Sequence, residues 1–164
     1  MRLPRWCAPR LLYLGLLPLA RADSIWSGGP CLSACQLCLN YVDFAGKPPD
    51  ASFLEKQCEG GLRATSLYLC AAIHCPDEDM VEGLKPLNER CRAIDSPLPG
   101  LDILAGYTEE EREGVRRIRK VNEDGENVYD EVVVPSEALL RLATDTLVHQ
   151  AILADADTSP AGDW

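Results

Sequence analysis

Seven cysteines crowd into one stretch of this 164-residue chain: Cys31, Cys35, Cys38, Cys58, Cys70, Cys75 and Cys91, with Cys7 alone near the N-terminus. Thiols at such density can bridge, hold a soft metal or cycle electrons. The metal reading has one focus, Cys70-x3-His74-Cys75 followed by Asp77, Glu78 and Asp79. Sulfur and imidazole there suit copper or zinc, and the carboxylates suit a ferric ion. Against it, a closed zinc site wants four regularly spaced thiolate or imidazole ligands, and the chain holds only two histidines, His74 and His149. The competing reading puts both cysteines in disulfides and the acids at a helix N-terminus. No metal is expected, with His74, Asp77, Glu78 and Asp79 as the residues that would contradict this.

Other chemistry has less to build on. No Gly-x-Ser-x-Gly elbow, phosphate-cradling loop or Gly-x-Gly-x-x-Gly fingerprint occurs in the sequence. Asp130 and Glu131 have no recognisable partner. Nothing near Cys38 lowers its pKa, so a buried or cross-linking thiol is expected rather than a redox centre. The expectation is a chain with no catalytic and no cofactor-binding residues.

The compartment decides what the cysteines become. Arg2, Arg5 and Arg10 precede the apolar run Leu11–Ala20, and Ala20-Arg21-Ala22 offers small residues for cleavage. This is the pattern of a secretory signal peptide over residues 1–22. Ten apolar residues rise only about 15 Å as a helix, too little to span a bilayer. No later apolar run approaches the roughly 20 residues a span needs. Loss of the segment removes four arginines and takes the formal charge from −10 to −14. So acidic a surface disfavours nucleic acid and anionic headgroups. Export also removes Cys7 and carries the other seven thiols into an oxidising lumen. Cys31, Cys35, Cys58, Cys70, Cys75 and Cys91 are then expected as disulfides, with Cys38 odd. Six cysteines allow about 15 pairings, and spacing alone does not choose between them.

The elements that must position these thiols read as mainly α, a small disulfide-stapled helical domain with at most one short strand or hairpin. A cysteine-rich helical ectodomain is expected over 23–153. Its cysteine core is 31–91, its C-terminal helices lie in 108–153, and a disordered acidic tail covers 154–164. A first helix starts at Pro30 and carries Cys31, Cys35, Cys38, Leu39 and Val42, ending at Gly46-Lys47-Pro48-Pro49. Asp50 is the expected cap of a short helix reaching Cys58. Leu62–His74 is the most apolar stretch and the expected central helix. Acids at 77–79 open another, which Pro86 is expected to kink or split. Residues 95–100 form a proline-bearing loop. Thr108 and Glu111 make a capping box for a helix over Glu109–Val121. On it, Arg112, Arg116, Arg117, Arg119 and Lys120 read as a solvated basic face, supported by Glu113–Arg117 at i, i+4. Asn127–Val134 is the expected strand, and a last helix runs from Ser136 to about Leu153.

The run Cys31-x3-Cys35-Gln36-Leu37-x-Leu39-Asn40-Tyr41-Val42, then Cys58, Thr65-Ser66-Leu67-Tyr68-Leu69-Cys70, Cys75 and Leu87-Asn88-Glu89-Arg90-Cys91 resembles a specific family. It is similar to the extracellular N-terminal region of fungal ferric reductase transmembrane proteins, over about residues 30–150. Tyr107-Thr108 and Val133-Val134-Pro135-Ser136-Glu137 extend the likeness. The resemblance implies six paired cysteines, with Cys38 additional. In that family a membrane bundle with haem follows, then domains binding FAD and NADPH, none of which has a counterpart in this sequence. It implies an ectodomain that is not an enzyme by itself, secreted or at the cell surface, and accessory to iron or copper reduction and uptake. A membrane ferric reductase or a metal chelate is its implied partner. A fragment of a full reductase, or an incomplete gene product, fits the same resemblance. The alternative is a secreted cysteine-rich interaction protein, effector-like or wall-associated, that reuses the scaffold.

Overall fold

A computed structural model describes residues 30–46, 50–120 and 128–158, with side chains to residue 151. The expected signal peptide and residues 23–29 lie outside the described residues. Helix α1 spans Pro30–Asn40, α2 Phe53–Gln57, α3 Leu62–His74 and α4 Asp77–Arg92. A 3₁₀ segment covers Leu101–Gly106, followed by α5 at Glu109–Gly114 and α6 at Glu137–Thr158. The domain is mainly α, as its periodicity implies, and its layers meet on α1, which packs against α3, α4 and α6.

Helix α3 is central because its apolar residues wrap almost the whole cylinder. Ala64, Ser66, Leu67, Tyr68, Leu69, Cys70 and Ala71 are all buried. Polar groups in this core have partners. Ser66 Oγ accepts from the Val133 N–H at 3.1 Å, and the Tyr68 hydroxyl donates to the Pro99 carbonyl at 2.7 Å. Buried Arg63 donates to the Leu39 carbonyl at 2.5 Å and to Asn40 Oδ1 at 2.7 Å. A cation over the last carbonyls of α1 is favourable there, since those groups have no intrahelical donor. Burial brings the Arg63 pKa down to about 10, and nearby Asp43 partly offsets it.

The strands differ from expectation. Among the described residues four short ones form two separate parallel pairs: β1 (Asp43–Phe44) with β3 (Val128–Tyr129), and β2 (Arg116–Ile118) with β4 (Val133–Pro135). Neither pair is a hairpin. Parallel partners lie far apart in sequence, so no turn signature announces them. The basic run is not one helix face. Helix α5 stops at Gly114 and the chain extends into β2, where pairing with buried Val133 and Val134 outweighs the i, i+4 charge pairs.

Four expectations along the helices also change. Helix α1 ends at Asn40 rather than at Gly46, with Val42 beyond it, because the chain extends into β1 and pairs with β3. The cap of α2 is Ser52, not Asp50, with a reciprocal box between Ser52 and Glu55. Helix α4 passes through Pro86 unbroken. The Glu82 carbonyl loses its usual donor there, but Glu82 and Pro86 are both exposed and water can serve it. Helix α6 continues to Thr158, so 154–158 is helical rather than tail; residues 159–164 lie outside the described residues.

Candidate functional site

Two of the three disulfides hold α1 to the far end of α3. Cys31 bonds Cys75, Cys35 bonds Cys70, and Cys58 joins the end of α2 to Cys91 in α4. Cys31 and Cys35 sit one turn apart on α1, as Cys70 and Cys75 sit five apart around the end of α3. That spacing lets two neighbouring helices share two bridges. Cys35, Cys58, Cys70 and Cys91 are fully enclosed in the core. Among the described residues Cys38 is the free thiol, one turn beyond Cys35. It faces α6, with Sγ 3.9 Å from the Leu139 carbonyl, and burial pushes its pKa up to about 12. A thiol held that protonated is a poor nucleophile.

The bridges remove both sulfurs from the metal reading. Asp77, Glu78 and Asp79 occupy the first turn of α4, where negative charge complements the helix dipole. His74 lies at the C-terminal end of α3 and meets a different neighbour: Arg117 Nη1 lies 3.5 Å from its Nε2. Burial holds the His74 pKa below the ordinary histidine value, and the adjacent Arg117 charge lowers it further. A backbone hydrogen bond to Pro135 and the charge of Glu137 oppose this. Among the described residues no three His, Cys, Asp or Glu side chains converge as a metal site. The four residues put forward for a metal are therefore not brought together as one.

The sequence missed the pairing of His74 with the basic run. Arg112 of α5 and Arg117 of β2 line a cavity of about 240 Å³ with Ala72, Ile73, Glu109 and Glu113. Arg116, on the opposite side of β2, pairs with Glu131 at 2.7 Å and lies 5.0 Å from the Tyr129 ring centroid. Glu131 thus has the partner the sequence did not reveal. The only legible hint of the cavity was the cluster of arginines in an acidic chain.

A second feature is apolar. Leu37 and Cys38 of α1 and Tyr41 just beyond it face Leu139, Leu142 and Ala143 of α6 around a cavity of about 190 Å³. Tyr41 and Leu142 are exposed, at 60% and 63%. A broader cleft of about 560 Å³ lies beside Glu55, Lys56 and Ser96, where Lys56 pairs with Asp43 at 3.3 Å. Among the described residues no helix is long and apolar enough to cross a membrane. No protein-family model, curated protein or solved structure matches the chain.

Proposed function

We propose that this chain is a secreted or cell-surface ectodomain of the ferric-reductase type, non-catalytic by itself, that serves iron or copper reduction through a membrane partner. One observation supports the reading most: the six cysteines of the resemblance pair among themselves and leave the additional Cys38 aside. Three bridges in so short a span also fit an oxidising, extracellular compartment. On this reading haem, FAD and NADPH belong to the partner. The ectodomain supplies a rigid surface that presents a ferric or cupric complex or docks on the reductase.

The test is recovery of the oxidised, full-length chain from fungal membrane extracts with an affinity tag. Co-purification of a haem-bearing ferric reductase supports the proposal. Recovery with a host or wall component instead supports a secreted interaction protein and contradicts it. Reduction of a ferric chelate by the purified chain with NADPH alone would also contradict it.

A further inference from the structure

Arg112 and Arg117 line one cavity, and among the described residues neither forms an ion pair. The ion pairs among the described residues are Lys56–Asp43, Lys85–Glu82, Arg116–Glu131 and Arg141–Glu137. Arg112 and Arg117 take part in none of them, although both are half-buried. Arg112 Nε is shielded from solvent with no acceptor. Among the described residues the hydrogen-bond contacts of Arg117 are long, 3.5 Å to His74 Nε2 and 3.4 Å to the Arg112 carbonyl. Partial desolvation of a guanidinium is unfavourable unless an anion compensates it.

The two side chains reach one cavity because α5 ends at Gly114 and the chain turns into β2. Were 109–121 a single helix, Arg112 and Arg117 would lie five residues apart, off a common face. The cavity holds about 240 Å³, room for about eight waters at about 30 Å³ each. Ala72 and Ile73 give it an apolar side, while Glu109 and Glu113 are exposed acceptors beside it.

We propose that Arg112 and Arg117 bind a small organic carboxylate that also carries a hydrogen-bond donor, with His74 positioning Arg117. Each part of the cavity selects one feature of that ligand. Planar guanidinium forks match a carboxylate bidentately. The methyl and methylene groups of Ala72 and Ile73 cover a short carbon skeleton. Glu109 and Glu113 accept from a hydroxyl or ammonium group, and inorganic phosphate has no carbon skeleton for Ala72 and Ile73 to cover. His74 acts as an uncharged neighbour: arginine offers only donors, so the ring nitrogen facing it must accept. This inference is independent of the ferric-reductase reading.

Malate, with two carboxylates and one hydroxyl, is the probe, and inorganic phosphate is the control. In nitrogen–proton correlation spectra of the labelled, oxidised full chain, malate is expected to shift the Ala72, Ile73, Arg112 and Arg117 amides saturably. R112Q and R117Q should each weaken binding by about tenfold or more, as loss of a charge-assisted hydrogen bond implies. R141Q, which breaks an exposed pair on α6, should leave affinity unchanged. If R112Q or R117Q fails to fold, R117K keeps the charge without the fork and should still weaken binding. H74Q should weaken malate less than R117Q does. Shifts that do not saturate, phosphate binding as tightly as malate, or unchanged affinity in the arginine variants would overturn the proposal.

Discussion

Between Pro30 and Arg92 three disulfides tie four helices to one another, whereas the segments from Leu101 onward join that knot without a covalent cross-link. The C-terminal segments depend on burial: Val133 and Val134 lie under α3, and Leu139, Leu140 and Ala143 lie on the core side of α6. Polar ties cross the boundary as well: Val133 N–H donates to Ser66 Oγ in the core, β1 pairs with β3, and Arg117 meets His74. The two regions therefore answer different perturbations. In the first, the unfolded chain is already restricted, so single side chains matter less than bridges. In the second, each buried side chain carries a larger share, and opening there should precede global unfolding.

The largest effect should come from breaking the staple itself. The double variant C35S/C70S removes the bridge at the centre of the α1–α3 contact. It should cost about 2–5 kcal/mol in urea unfolding, enough to unfold a marginal domain. Next is the unstapled region. Leu140 is fully buried, and Leu140→Ala should cost about 2–5 kcal/mol, at the lower end if α6 can settle inward. Hydrogen exchange sharpens the comparison here: α6 amides should lose protection while α3 amides keep theirs. Equal loss in both would show a single cooperative unit and erase the distinction.

A smaller effect should come from Gly83, where α4 crosses α1. A Cβ there would lie 2.7 Å from Leu32 Cδ2 and 3.1 Å from its Cβ, and Leu32 is buried in the core. Gly83→Ala should cost about 1–3 kcal/mol through overpacking, read as a drop in thermal midpoint. Smallest is the pH response. His74 has a pKa below 6.5 in the folded chain, from burial first and the Arg117 charge second. Below 6.5 the unfolded chain binds the proton more readily. Stability should fall as pH drops through that value and stop falling once pH is below the folded pKa. H74Q should flatten this slope; an unchanged slope would place it in other groups.

Local features of this fold were legible in the sequence, and long-range ones were not. Leu62–His74 declared itself by an apolar pattern, and Thr108 with Glu111 declared the start of α5. Both are decided within a few residues. The end of α5 is decided elsewhere, by strand pairing to residues 133–135, and so the basic run read as a longer helix than it is. The thiols were recognisable as bridges from their density, but the partners were not, since pairing depends on which helices meet. His74 was noticed for the wrong neighbours: its sequence-adjacent acids lie on α4, and its spatial contact is Arg117.

The most direct test is to alkylate the oxidised chain before and after unfolding, digest it without reduction and read the fragments by mass spectrometry. The predicted result is three linked fragments joining Cys31 to Cys75, Cys35 to Cys70 and Cys58 to Cys91. Cys38 should take label only after unfolding. A bridge that includes Cys38, or label on any of the other six, would contradict the account.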